Sequence, residues 1–309
     1  MAIVTDALLQ SLRVGFSKVF EEAKSEAPSR WALAATRVSS ASTSTTYGWL
    51  GQYPKLREWV GDRALKSMKE YGYSITNKLY EATVNVKRTD LEDDNLGVYA
   101  PMMREMGYAV STHPDEMVFG LLGQGTATAC YDGQNFFDTD HPVYPEVDGT
   151  GSPSTVSNLI DPAEGEPGTP WYVLDVSRPL KPLIFQERTK PELLAVTDPK
   201  QYHVFTKDAY LYGVRYRCNA GFGFWQQAIC CRDTLNAANY EAALTRLQTF
   251  KADGGRPLGL GHGGKDGTLL VVPATLNATA RRVVSVELIN GGESNPWYDT
   301  ATIINCAWL

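Results

Sequence analysis

Apolar positions recur at helical spacing over residues 6–22, where Leu8, Leu9, Leu12, Phe16, Val19 and Phe20 share one side and Thr5 or Asp6 stands as the cap. This predicts a helix, packed either on its own domain or as an arm on a neighbouring chain. Residues 36–46, TRVSSASTSTT, are too polar for a core and read as an extended linker. Residues 79–88 alternate and are β-branched, which predicts a strand. The acidic corner Asp90, Glu92, Asp93 and Asp94 then opens a long helical pattern to about residue 122, with carboxylates suited to the positive end of its dipole. Leu96, Tyr99, Met102, Met103, Met106, Val110, Met117, Phe119 and Leu121 mark its buried side. Pro101 suits an early position, whereas Pro114 is expected to kink or split the helix.

Residues 145–170 are rich in Pro, Gly and Ser and read as an exposed loop or insertion. Strand-forming runs follow at 171–176, 180–187 and 208–231. Helical spacing returns at 235–250, stopped by Gly254 and Gly255. A strand at 268–273, a helix at about 275–289 ending at Asn290-Gly291-Gly292, and a strand at 302–309 complete the chain. Helices and strands come in clusters rather than in strict alternation, and no repeat is found, so the class is α+β.

One stretch resists this scheme. Residues 47–60, YGWLGQYPKLREWV, crowd Tyr47, Trp49, Tyr53 and Trp59 among Gly48, Gly51 and Pro54. Large aromatics on a Gly/Pro-broken loop need a cover, either their own core or another chain. Charge sharpens the point. The 309 residues carry 29 Lys and Arg against 35 Asp and Glu, a net −6, yet residues 51–80 hold six basic residues (Lys55, Arg57, Arg63, Lys66, Lys69, Lys78) against three acidic ones (Glu58, Asp62, Glu70). A local +3 beside stranded aromatics points to an intermolecular contact as readily as to a solvated face. The overall acidity argues against a surface built to grip nucleic acid.

Other classes fall away. No run of about 18 apolar residues is present, so no membrane span is expected, and the N-terminus lacks the pattern of a signal peptide. The five cysteines, 130, 218, 230, 231 and 306, form no CxxC pair and make a poor disulfide framework, so reduced thiols and cytoplasmic synthesis are expected. Cys230–Cys231 reads as strand packing. The run GLGHGGKDG at 259–267 matches GxGxxG and most of GxxxxGK, but Asp266 replaces the Ser or Thr, and a strand rather than a helix follows. An inter-strand loop is the better reading. Asp132, Asp138, Asp140 and His141 invite a metal or acid–base reading, but the stretch lacks the EF-hand spacing, and such residues more often build turns. There is no HExxH and no GxSxG. No catalytic, cofactor or metal residue is assigned, and the chain is not expected to be an enzyme.

Several long stretches resemble the major head (capsid) subunit of Mu-like transposable tailed phages, the gpT family: YGWLGQYPKLREWVGDR from residue 47, GYSITNKLYEATVNVKRTDLEDDNLGVYAPMMREMG from 72, CYDGQNFFDTDHP from 130, WYVLDVSRPLKPLIFQERTKPEL from 171, GFGFWQQA from 221 and LLVVPATL from 269. The resemblance implies a Hong Kong 97-type capsid fold. Residues 1–46 would be the N-terminal arm and 47–85 the extended loop. Residues 86–233 would be the peripheral domain, with a spine helix at about 94–122 and an exposed insertion at about 145–170, and 234–309 the axial domain. The boundary between 145 and 235 is open, because WYVLDV and the strands after it precede the axial domain here, whereas many members of the fold carry such strands near the C-terminus.

The resemblance further implies self-assembly into pentamers and hexamers of an icosahedral head around double-stranded DNA, in the virion after assembly in the bacterial cytoplasm. Scaffold or protease, portal and decoration proteins would be the partners, with no cofactor and no membrane. Trp49, Tyr53, Arg57, Trp59, Arg63 and Lys66 are the expected subunit contacts. The competing classes are a shell-forming compartment protein of the same fold and an enzyme using the 132–141 cluster or the Gly-rich loop.

Overall fold

The computed structural model describes residues 5–50, 72–93, 96–147, 149–289 and 291–309. Helix α1 (Asp6–Glu26) starts where Thr5 Oγ1 accepts the Leu8 N–H, and it buries Leu9, Phe16, Phe20 and Ala23. Helix α2 (Trp31–Ala34) is a single turn. Strands β1 (Ala35–Ser39) and β2 (Ser44–Thr46) follow, so the Ser/Thr run expected as a linker is partly sheet. Its hydroxyls supply what its apolar content does not. Ser40 Oγ accepts from Asn77 Nδ2 at 2.9 Å, and that amide also donates to Ser42 O at 2.9 Å.

Strands β3 (Ser74–Thr76) and β4 (Lys78–Lys87) lead to α3 (Arg88–Glu92), a 3-10 turn, and the long helix α4 (Tyr99–Gly123). Pro101 lies in the first turn of α4, where its missing N–H is not needed. The helix continues unbroken through Pro114, which is buried. Tertiary packing on both halves of α4 outweighs the one lost backbone bond. Strands β5 (His141–Val143) and β6 (Ser154–Val156) pair as a hairpin, followed by β7 (Leu159–Ile160) and β8 (Trp171–Asp175).

The next ribbon is far longer than the 180–187 run suggested. Strand β9 (Leu183–Val196) and strand β10 (Ala209–Phe222) have 14 residues each and are joined through α5 (Tyr202–Lys207). Pro191 does not end β9, because it falls where the β9–β10 register breaks, so no ladder bond is required of it. Strand β11 (Ala228–Cys231) precedes α6 (Ala237–Thr249) and a small hairpin of β12 (Lys251–Ala252) and β13 (Arg256–Pro257). Then come α7 (Gly264–Gly267), β14 (Thr268–Pro273), α8 (Asn277–Val284), the paired β15 (Leu288–Ile289) and β16 (Glu293–Ser294), and β17 (Thr302–Cys306). Helix α8 is shorter than the 275–289 expected. The Asn295 amide donates to the Val283 and Val286 carbonyls at 2.8 and 2.7 Å and so terminates the helical run.

Two sheets organise these elements. The first has the order β1-β9-β10-β4, with β10 antiparallel to both neighbours and β1 parallel to β9. Val84, Val86, Tyr210, Tyr212 and Val214 join Leu9, Phe16 and Phe20 of α1 and Tyr99, Met103 and Met106 of α4 in one core. The second sheet has the order β17-β14-β8-β11-β7. Its strands β8, β11 and β14 are buried at every position, which is why they read as continuous apolar runs. This sheet crosses residue 234, joining 159–175 and 228–231 to the C-terminal strands. Helices α6 and α8 bury Tyr240, Leu247, Ala280 and Val284 in its core, which also takes Val118, Phe119 and Leu122 from the far end of α4.

Two glycines of α4 separate packing from propensity. At Gly107 an added methyl would run into the carbonyl oxygen of Phe20, whereas at Gly120 it would meet open space. Gly107→Ala is expected to lower the urea-unfolding free energy by about 1–3 kcal/mol through overpacking, and Gly120→Ala to raise it by about 0.5–1 kcal/mol. Equal effects would refute the close α1–α4 crossing.

Candidate functional site

The acidic turn at 130–142 is built as a buried polar knot. His141 is fully buried, with its ring stacked on Trp225 at 4.0 Å and 10°. Its Nδ1 lies 2.7 Å from Asp132 Oδ2 and its Nε2 3.2 Å from Asn158 Oδ1. The orientation of Asn158 is fixed, because its Nδ2 donates to the carbonyls of Phe136 (2.7 Å) and Trp225 (3.3 Å), and its Oδ1 accepts the Asp138 N–H (2.9 Å). Both ring nitrogens of His141 therefore face side-chain oxygens held in place by other bonds.

The other groups of the turn are equally occupied. Asp132 Oδ1 accepts from Cys130 Sγ at 3.0 Å and from the Gln134 N–H at 3.1 Å. Burial raises the Asp138 carboxyl, but the N–H groups of Thr139 and Asn135 and the Asn135 amide outweigh it and hold the group below its usual range. Burial first, and the Asp132 carboxylate second, push the Cys130 thiol far above its usual range. Asp140 is exposed at the edge. Cys130, Asp132 and His141 do place three ligand-type atoms within 4.8 Å of one another. The Asp132 carboxylate already binds the other two, however, so a metal would have to break both bonds. The arrangement closes a loop and offers no nucleophile.

The Gly-rich loop is likewise occupied from within. The Gly261 N–H, which a phosphate would need, donates to Asp175 Oδ2 at 2.7 Å. Asp175 is fully buried, and its Oδ1 accepts from Ser177 Oγ at 2.8 Å. Lys265 reaches Asp299 at 2.7 Å. All five cysteines are free and buried. Burial raises the thiols of Cys231 and Cys306 to about 11, and adjacent Cys230 and Cys231 belong to the fully buried β11.

The stranded aromatics start from an anchored base. Tyr47 is buried, and its hydroxyl donates to Gln186 Oε1 at 2.7 Å, while Gln186 Nε2 donates to Ile75 O and Asn77 Oδ1. Trp49 is half-buried, with its ring edge-on to Tyr47 at 5.8 Å and tilted against Phe224 at 5.8 Å. Just after residue 72, the Tyr73 hydroxyl accepts the Phe222 N–H at 2.7 Å. Tyr53, Arg57, Trp59, Arg63 and Lys66 lie outside the described residues.

The N-terminal segment is clasped to α4 by a residue that sequence reasoning did not single out. The buried Asp115 carboxylate accepts from the Ser29 hydroxyl (3.2 Å), the Arg30 N–H (2.9 Å) and the Trp31 N–H. No local pattern reveals a partner some 85 positions away. Tyr202 and Phe205 of α5 were also missed. Their signal was available, as two aromatics three residues apart in an otherwise polar link.

Comparison with known proteins matches residues 9–309 to the family described as Mu-like prophage major head subunit gpT. The chain is 45% identical over 292 residues to the major capsid protein of Escherichia phage Mu, covering 94% of each. It is 46% identical over 289 residues to the Mu-like prophage FluMu major head subunit of Haemophilus influenzae, covering 93% of this chain and 92% of that one. Among solved structures it is similar to the procapsid of bacteriophage JBD30, with TM-score 0.87 and 54% identity over 99% of this chain and 100% of that one. The JBD30 capsid gives TM-score 0.75 and 38% identity, with 99% of each covered.

Asn158→Ala tests the knot. It removes the Asn158 partner of the Phe136 carbonyl, the Asp138 N–H and His141 Nε2, while the Trp225 carbonyl keeps the Ala228 N–H, and is expected to lower the urea-unfolding free energy by at least about 3 kcal/mol, at about 1–3 kcal/mol per buried group left unpaired. A chelator is expected to leave the wild-type melting midpoint unchanged. A chelator-induced fall would overturn the hydrogen-bond reading.

Proposed function

The chain belongs to the Mu-like gpT family of major head subunits, and from that premise we propose how its parts build a shell. It is a major capsid protein of a tailed-phage head. Its homologues are structural components of virions, so self-assembly rather than turnover is the activity to explain. The observation that carries this reading is the match over 99% of the chain to the JBD30 procapsid subunit.

In the proposed assembly the five-stranded sheet with α6 and α8 is the axial unit, and the β1-β9-β10-β4 sheet with α1 and α4 is the peripheral unit. Copies meet as pentamers and hexamers of an icosahedral head. Closed tiling requires one chain to make several different contacts, each of typical size burying roughly 1,600 Å² in total. The loop after Leu50 supplies one of them. Trp49, Tyr53 and Trp59 would be covered by a neighbour, and Arg57, Arg63 and Lys66 would face its carboxylates. Decoration by minor capsid protein trimers, as in the JBD30 capsid, and dealings with scaffold, protease and portal belong to the same proposal, as does assembly in the host cytoplasm. The net −6 suits a wall around DNA, which carries one charge per about 1.7 Å of axis, because a strongly basic wall would hold the packaged duplex.

Produced in a bacterium with the neighbouring head genes, the full chain is expected to form shells visible by negative stain. A protein that stays monomeric under those conditions would overturn the reading. The triple charge reversal Arg57→Glu, Arg63→Glu, Lys66→Glu is expected to lower shell yield several-fold, with the melting temperature of the subunit unchanged. Single exposed pairs are worth about 0–1 kcal/mol, so wild-type assembly should also weaken as salt rises. A yield indifferent to both would sink the loop assignment.

A further inference from the structure

A cleft of about 190 Å³ lies beside the middle of α4, where the two cores meet. Its walls come from both. Tyr80 and Tyr216 belong with the core at the far end of the helix, and Val110 and Val214 with the core at its start. Strand register builds one side. Tyr216 of β10 stands opposite Tyr80 of β4, and Val214 opposite Ala82, so these side chains share the sheet face turned to α4. Val110 and His113, three residues apart on α4, close the other side.

One polar atom among these apolar and aromatic walls is unsatisfied. His113 Nδ1 is buried and has no hydrogen-bond partner. Burial lowers the pKa of this ring more than the Glu116 carboxylate raises it, so the ring is neutral at pH 7 and carries one donor and one acceptor nitrogen. It stands edge-on to Tyr80 at 4.3 Å and to Tyr216 at 6.0 Å. The Tyr216 hydroxyl is spent on Glu187 Oε1 at 3.3 Å. Glu81, at the rim, alternates to the opposite face of β4 and accepts from Thr83 Oγ1 at 2.7 Å, so the walls favour an uncharged occupant. A lone water needs about 2–4 polar partners and is poorly served here. An apolar cavity of about 150 Å³ holds a benzene ring, so this cleft has room for such a ring with one substituent.

We propose that the cleft between α4 and the β4–β10 pair binds a small phenol, whose hydroxyl meets His113 Nδ1 and whose ring packs against Tyr80 and Tyr216. A hydroxyl both donates and accepts, so it serves either tautomer of the neutral imidazole. The surrounding rings offer faces and edges for tilted or edge-on stacking. The occupant would touch side chains of both cores and so add a link between them alongside α4. The inference goes beyond the assembly reading and does not rest on it.

The test titrates 4-fluorophenol into the purified full chain and follows it by fluorine NMR. Binding should saturate at one site, and fluorobenzene should bind roughly fivefold more weakly, the net worth of one hydrogen bond. Ring protons of the bound phenol should show nuclear Overhauser contacts to the methyl groups of Val110 and Val214. His113→Leu keeps the wall apolar and should bring 4-fluorophenol down to the affinity of fluorobenzene, with the circular dichroism of the chain unchanged. Failure to saturate by about 10 mM, a concentration at which a ligand of this size in a formed cleft should be bound, would overturn the proposal. So would equal affinities of the two ligands for the wild-type chain, or contacts only to methyl groups outside the cleft. These wild-type readouts decide the matter even if the variant does not fold.

Discussion

One helix has to satisfy two cores at once. Over its 25 residues α4 runs about 37 Å, at roughly 1.5 Å per residue. Tyr99, Met103 and Met106 near its start are buried with α1 and the β4–β10 ladder, and Val118, Phe119 and Leu122 near its end are buried with the five-stranded sheet. The two sheets therefore take their spacing from the length of α4. Gly107 lets α1 approach until the Phe20 carbonyl almost touches the helix, and Asp115 receives the chain as it leaves α1. A helix interrupted at Pro114 would uncouple all of these, which explains why packing carries it through.

The irregular segments depend on a different device, a single buried polar side chain that satisfies backbone N–H or C=O groups where no ladder exists. Asp115 serves Arg30 and Trp31, Asn158 serves the 136–138 turn and the approach to β11, and Asp175 serves Gly261. Each looks like chemistry when isolated. Each is spent on its own chain, as the fully partnered His141 illustrates.

Much of this was legible in the residues. The spacing of Leu9, Phe16 and Phe20 gave α1, the unbroken apolar runs WYVLD and TLLVVP gave buried strands, and the long quoted stretches led to the right family. What was illegible was non-local. The Ser/Thr run 36–46 looked like a linker because its strand β1 draws its partners from residues 183–187. Strand β9 outran its apparent end because the β10 register absorbs Pro191, and Asp175 gave no hint of the glycine loop 86 positions on. Of the aromatics at 47–60, Tyr47 and Trp49 find cover on their own chain, against Gln186 and Phe224, which lie far off in the sequence.

The parallel pairing of β1 with β9 has a mechanical side. Ala35 to Ser39 align residue by residue with Leu183 to Glu187, and Asp115 clasps the chain just ahead of that strand. A tug on the N-terminal segment directed along β1 would load the five rungs together in shear rather than peel them one by one, and the carboxylate clasp would meet the force first. A pairing that bears load in shear resists rupture far better than one that unzips, so this short polar strand is suited to hold the N-terminal segment to the body of its own subunit under tension.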